Sequence, residues 1–312
     1  MNNLRPIGAA IINGILVGST IVATRFVIDQ TSPASLAFLR YVIGLGCLFP
    51  LVVFSSRVRF EPCDILPISL LGIAQFGIVV TLLNYALQFI PSARAALIFA
   101  TFPLMTMILS VAVGYERVTL SLVLGVLMTI VGVGLALGEK AIQPGVAANN
   151  WIGELAVLGS ALSGAICSVG YRPYLRKYPT LPVSTLAMFA SVIVLAVFAA
   201  SEGFFNAVPR FTNEGWLSVG FIGVSSGVGY YLWLWALNHT TPTKVTVFLA
   251  LSPITATILG VIFLAEQISV ISMLGLVGVA FGLWLAHWQT REPLSSLAAE
   301  IIQSEPGTTK NH

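Results

Sequence analysis

Residues 94–126 read RAALIFATFPLMTMILSVAVGYERVTLSLVLGV, and residues 244–276 read KVTVFLALSPITATILGVIFLAEQISVISMLGL. Adding 150 to the number takes Pro103 to Pro253, Glu116 to Glu266, Gly125 to Gly275 and Gly132 to Gly282, without a gap. It also takes Arg94 to Lys244. Apolar matches are common in any apolar chain and count for little. A proline, a glutamate and two glycines at fixed spacing define an internal repeat over 94–136 and 244–286.

The composition sets the environment of that repeat. The 312 residues are 57% hydrophobic and 9% charged, with a mean hydropathy of +0.93. Soluble domains carry about 25% charged residues. Long apolar runs follow one another with short gaps, and a spanning helix needs about 20 such residues. A β-barrel would instead show short alternating segments of about ten residues. The sequence therefore predicts an all-α integral membrane protein with ten transmembrane helices. Their expected spans are 7–28, 33–54, 65–89, 92–114, 118–138, 151–171, 182–201, 214–238, 242–265 and 269–288.

The polar segment EKAIQPGVAANN at 139–150 divides the chain. The expected organisation is a first five-helix half (1–138), this connector, a second five-helix half (151–290) and a polar tail (291–312). Of fifteen Lys and Arg, ten fall on the side of the N-terminus, four on the other side, and Arg40 within helix 2. The positive-inside rule then places both termini in the cytoplasm. Five helices per half is an odd number, so the second half is expected upside down relative to the first. Inverted repeats of this kind are a transporter signature.

The motifs complete a pattern. PASLAFLRY (33–41), SARAALIFATFPLMTMILSVAVGYE (92–116), GVLMTIVGVGLAL (125–137), GELAVLGSALSGAICSV (153–169) and SPITATILGVIFLAEQIS (252–269) resemble the drug/metabolite transporter superfamily, EamA-type. The resemblance covers nearly the whole chain. It implies a permease of the bacterial inner membrane, with helices 1, 3, 4, 6, 8 and 9 around a central cavity. It also implies a small-molecule substrate such as an amino acid, sugar, nucleotide sugar or amphipathic drug. One departure is Val17, where an aromatic residue commonly precedes the Gly-Ser pair.

Candidate functional residues follow from chemistry. Pro103 and Pro253 lack an N–H and free the carbonyls of Phe99 and Leu249, which predicts a hinge and a midplane surface in each half. Thr101, Thr106, Ser252 and Thr255 flank those breaks. Arg40 lies seven residues into helix 2, roughly 10 Å deep, and an intramembrane charge is a functional candidate. Snorkelling or bonding to a helix end would equally hold it. Arg94 and Lys244 begin helices 4 and 9, as gate or anion-contact residues or as interfacial anchors. Glu116 and Glu266 precede helices 5 and 10, where free N–H groups and the helix dipole stabilise a carboxylate. Polar cavity candidates are Asn13, Ser19, Gln75, Asn84, Tyr85, Ser163, Ser226, Tyr230 and Trp233, each of which can also serve as helix-packing glue. Gly14 and Gly18 form a GxxxG spacing for close helix approach.

Other classes fit less well. Gly223–Gly227 spells GxSxG, but inside an apolar helix rather than at a strand-to-helix elbow. There is no HExxH, P-loop or Cys/His ligand pattern among the three cysteines. No catalytic residue, metal or cofactor is expected, and a net charge of +3 gives no reason to expect nucleic acid. The expected function is movement of a small polar or amphipathic metabolite, amino acids being favoured. A non-transporting receptor or assembly factor on the same scaffold is the alternative class.

Overall fold

The computed structural model describes residues 4–27, 30–55, 58–86, 89, 98–141, 150–206, 210–264 and 270–288. Among them the secondary structure is entirely helical. The helices are α1 (Leu4–Arg25), α2 (Pro33–Val53), α3 (Pro62–Ile73), α4 (Val79–Ala86), α5 (Phe102–Ala112), α6 (Leu120–Ala141) and α7 (Asn150–Gly170). They continue as α8 (Arg172–Lys177), α9 (Thr180–Ser201), α10 (Asn213–His239), α11 (Pro242–Val247), α12 (Leu251–Leu264) and α13 (Val270–Trp288). A π-turn at Ala74–Ile78 joins α3 to α4, and a 3₁₀ turn at Phe248–Ala250 joins α11 to α12.

Seven described segments are long and apolar enough to cross a membrane, and Phe102–Ala112, Leu120–Leu135 and Met273–Ala286 are shorter apolar helices. Large apolar side chains line the outside: Leu66, Leu70, Ile262, Phe263 and Val277 are all more than half exposed. An exterior this apolar suits lipid and not water. The chain is an integral, multi-pass membrane protein.

Helix ends follow local chemistry. Pro33 stands at the first turn of α2 with Ser32 extended before it, which suits a residue with no N–H to satisfy. The free N–H groups of Ala34 and Ser35 donate to the Glu202 carboxylate at 3.2 and 3.0 Å. Thr212 caps α10 by accepting from the Gly215 N–H at 3.0 Å. At the opposite end of the bundle, Lys177 Nζ lies 2.6 Å from Glu61 and 2.7 Å from Asp64. Tyr178 donates to the same Asp64 at 2.6 Å. Glu61, Cys63 and Asp64 cluster closely enough to ligate a cation, but the Lys177 ammonium already occupies that position.

Packing follows small residues. α6 and α13 form the most extensive helix pair. A Cβ on Gly132 would lie 2.5 Å from the Val279 nitrogen, and one on Gly282 would lie 2.6 Å from the Thr129 nitrogen. Backbones this close leave no room for a side chain, and in lipid such contacts are a main source of helix association. Gly227 meets Gly44 in the same way, and Gly223 meets Ile43, locking α10 onto α2. The GxSxG spacing is thus a packing device. Elsewhere α1 packs on α10 and α12, while α7 packs on α4 and α5. An offset of 150 carries α1 onto α7, α3–α4 onto α10 and α5 onto α12. The second set of contacts is therefore the first with the halves exchanged.

Candidate functional site

The interior is built from α1, α2, α10, the π-turn and the two broken helices. Arg40 does not reach a helix end. Its Nε donates to Ser226 Oγ and its Nη2 to Thr20 Oγ1 at 3.5 Å. Ser226 in turn donates to the Ile222 carbonyl at 2.6 Å. The guanidinium also sits 5.6 Å from the Tyr41 ring centroid. Arg40 therefore ties α2 to α10 and α1, and among the described residues its charge is met by hydroxyls and a π face.

Below it runs an aromatic seam. Tyr41 lies 4.4 Å from Phe76, and Phe76 lies 4.5 Å from Tyr230. Tyr230 donates its hydroxyl to Tyr171 at 2.7 Å, both rings being buried. One turn on, Trp233 stacks on Phe102 at 6.3 Å, and Phe102 stacks on Phe99 at 5.5 Å. Two buried polar atoms of the interior have no partner among the described residues. They are the Gln75 Oε1, an acceptor, and the Trp233 Nε1–H, a donor, both buried. Gln75 immediately precedes Phe76, and Trp233 is three residues beyond Tyr230. Buried polar groups are nearly always paired, which sets these two apart.

Both helices change character near these prolines. Helix 9 changes to 3₁₀ at Phe248–Ala250, just before Pro253. In helix 4, residues 98–99 end in a turn at 100–101 before α5 begins at Phe102. Thr101 Oγ1 donates to the Ile98 carbonyl at 2.7 Å and Thr106 Oγ1 to the Phe102 carbonyl at 2.9 Å. Neither serves the Phe99 carbonyl that Pro103 releases.

The remaining sequence candidates are placed as follows. Asn13 is buried, its Oδ1 facing the bare α-carbon of Gly229, where a Cβ would lie 2.9 Å away. Ser19 turns back to its own Ile15 carbonyl at 2.9 Å. Ser163 and Ser252 are half-buried. Tyr85 is exposed and packs on Phe89 at 5.0 Å. Asn84 lies on α4, its side chain outside the described residues, and Arg94 and Glu266 fall outside them altogether. Glu116 accepts the Thr243 N–H at 2.9 Å, so it caps α11 across the bundle and not its own following helix. Lys244 is half-buried nearby and feels the Glu116 charge. Sequence reasoning missed Thr20, Tyr41, Phe76, Phe102 and Tyr171. Nothing in their local pattern separates an interior aromatic from a lipid-facing one. The π-turn carrying Gln75 and Phe76 left no sequence signal either, although such turns frequently mark functional positions.

The EamA-like transporter family model matches residues 4–138 and again 151–288. The chain belongs to the EamA-like transporter family. It is a membrane transporter and not an enzyme. The transporter YoaV of Bacillus subtilis is 26% identical over 280 residues, covering 87% of this chain and 92% of that protein. The inner membrane transporter YedA of Escherichia coli is 26% identical over 305 residues, 93% of each. The "Probable terminal-alkyne amino-acid exporter" of Streptantibioticus cattleyicolor is 25% identical over 287 residues, 89% of this chain and 91% of that protein. A crystal structure at 22% identity superposes with a TM-score of 0.78 over 90% of this chain and 98% of the other, a likeness of fold.

Proposed function

We infer that this family member moves a small polar metabolite, an amino acid or a close relative, by alternating access between two inverted five-helix halves, 1–138 and 151–290. The buried Gln75 Oε1 and Trp233 Nε1, without partners among the described residues, carry this reading. An amine donates to the first, a carboxylate accepts from the second, and the flanking rings of Phe76, Tyr230 and Phe102 take an apolar side chain. The exchanged helix contacts support two halves of one plan, and the paired breaks at Pro103 and Pro253 are the hinges. Both termini face the cytoplasm of the bacterial inner membrane on the Lys and Arg distribution. The twelve acids and three histidines fall in loops, tails or helix ends of the sequence. With no acid or histidine placed at the midplane by that reading, the substrate gradient and not a proton drives transport.

Counterflow of radiolabelled amino acids in proteoliposomes tests this. Trp233→Phe keeps the ring and removes the donor, and Gln75→Leu removes the acceptor. Each raises the half-saturating concentration about tenfold, since an unmet buried partner is lost at roughly 1–3 kcal/mol. Wild-type counterflow of every amino acid tested being absent, or both variants matching wild type, overturns the reading.

A further inference from the structure

At the end of the bundle that carries Lys177 and Asp64, a cavity of about 210 Å³ opens between the α5–α6 loop, the start of helix 9 and the end of α13. Tyr115, Glu116, Thr119, Ser121, Thr241 and Lys244 are among its lining residues. It is separate in sequence and structure from the Gln75–Trp233 seam, and no step of the transport reading uses it.

Its polar groups are half-committed. Glu116 spends Oε1 on the Thr243 N–H at 2.9 Å, while Oε2 is buried with no partner. The Thr241 hydroxyl is likewise buried and unpartnered. Lys244 interacts electrostatically with Glu116 yet forms no ion pair with it among the described residues. A carboxylate oxygen and an ammonium that share a cavity and do not touch would ordinarily collapse onto each other or be filled by water. Here the Thr243 bond holds the carboxylate in place. Arg117 also lines the cavity, and Arg172, its Nη1 donating to the Tyr115 carbonyl at 3.4 Å, stands behind the loop. The cavity is therefore positive at the Lys244 side and negative at Glu116 Oε2.

We propose that this cavity is a binding site for a compact zwitterion, its ammonium on the Glu116 and Thr241 side and its anionic group on the Lys244 side. The space equals about seven water volumes at roughly 30 Å³ each, which suits a small amino acid. It also suits the headgroup of phosphatidylethanolamine, which carries the same two charges and lies at the same membrane depth as a helix end. The shared chemistry is an ammonium linked by a short spacer to an anion.

The full chain in nanodiscs of phosphatidylcholine and phosphatidylglycerol is titrated by calorimetry with alanine, β-alanine and γ-aminobutyrate. At least one binds, and acetate and methylamine each bind at least tenfold more weakly. Glu116→Gln keeps the Thr243 bond and removes the charge, Lys244→Met removes the other charge, and each weakens binding at least tenfold. Thr241→Ala, which touches neither charge, weakens it about threefold and serves should either charge variant misfold. If the free solutes do not bind but phosphatidylethanolamine co-purifies with wild type and is lost from both charge variants, the occupant is the lipid headgroup and the site stands. Binding lost in Trp233→Phe but kept in Glu116→Gln and Lys244→Met belongs to the interior seam and overturns this site. So does the absence of any zwitterion, free or lipid-borne, that depends on both charges.

Discussion

In the second half, the break at Phe248–Ala250 lies backbone to backbone against α1. A Cβ on Gly14 would come 2.5 Å from the Phe248 carbonyl oxygen, and one on Gly18 2.5 Å from that of Ser252. In the first half, the break before Phe102 lies against α7 at positions related by the same offset, Gly164 and Ser168. There a Cβ on Gly164 would lie 3.0 Å from the Phe102 ring, and Ser168 spends its hydroxyl on the Gly164 carbonyl at 2.8 Å. One break is held by fixed main chain, the other by an aromatic side chain that can turn. The same sequence plan thus yields a rigid contact where both small positions are glycine. It yields an adjustable one where a ring intervenes. Phe102 also stacks on Trp233, so the adjustable break is the one that touches the proposed substrate seam.

The largest effect follows from invading the rigid contact. Gly18→Val places methyls into the Ser252 backbone and Thr255, and should cost at least the ~1–3 kcal/mol of ordinary overpacking. Loss of a monodisperse peak in size-exclusion chromatography checks it, and a stable, active Gly18→Val protein would break the contrast. Next comes the double change Pro103→Ala with Pro253→Ala. The protein stays folded while flux falls at least tenfold, because both helices regain a continuous hydrogen-bond ladder. Normal flux at normal expression would reduce both prolines to tolerated kinks. Of the single changes, Pro103→Ala slows transport more than Pro253→Ala, by about threefold. α1 keeps the second break in place even without its proline, and equal effects would show that α1 does not. The smallest effect is Gly164→Ala. The Phe102 ring shifts by a few tenths of an ångström at a cost below about 1 kcal/mol. Thermal stability in detergent changes little, and the measurable difference appears in substrate affinity through the displaced Trp233 stack.

Much of this was legible in the sequence because it is a matter of what a residue cannot do. Pro103 and Pro253 cannot donate, so the helices change character beside them. Gly14 and Gly18 have no side chain, so a neighbour can come close. Pro33 suits a helix start, and α2 begins there. What stayed hidden concerns partners. Glu116 reads as a cap for the helix that follows it, but the fold offers it the Thr243 N–H instead. Arg40 reads as a lone intramembrane charge, but Thr20 and Ser226 come to it from two other helices. Phe76 and Phe102 are ordinary apolar letters, and only their neighbours make them interior.

The sequence by itself determined the membrane setting, the all-helical class and the repeat at an offset of 150. Each of these depends on local composition and backbone chemistry, which neighbouring residues carry in full. Only the tertiary structure decided which glycines meet which backbone, that helix 3 makes a π-turn at Gln75, and which buried donor and acceptor are left without a partner. It also set Glu116 and Lys244 apart across one cavity. Those are properties of pairs distant in the chain, and in a bundle of uniformly apolar helices no residue pattern states which faces will meet.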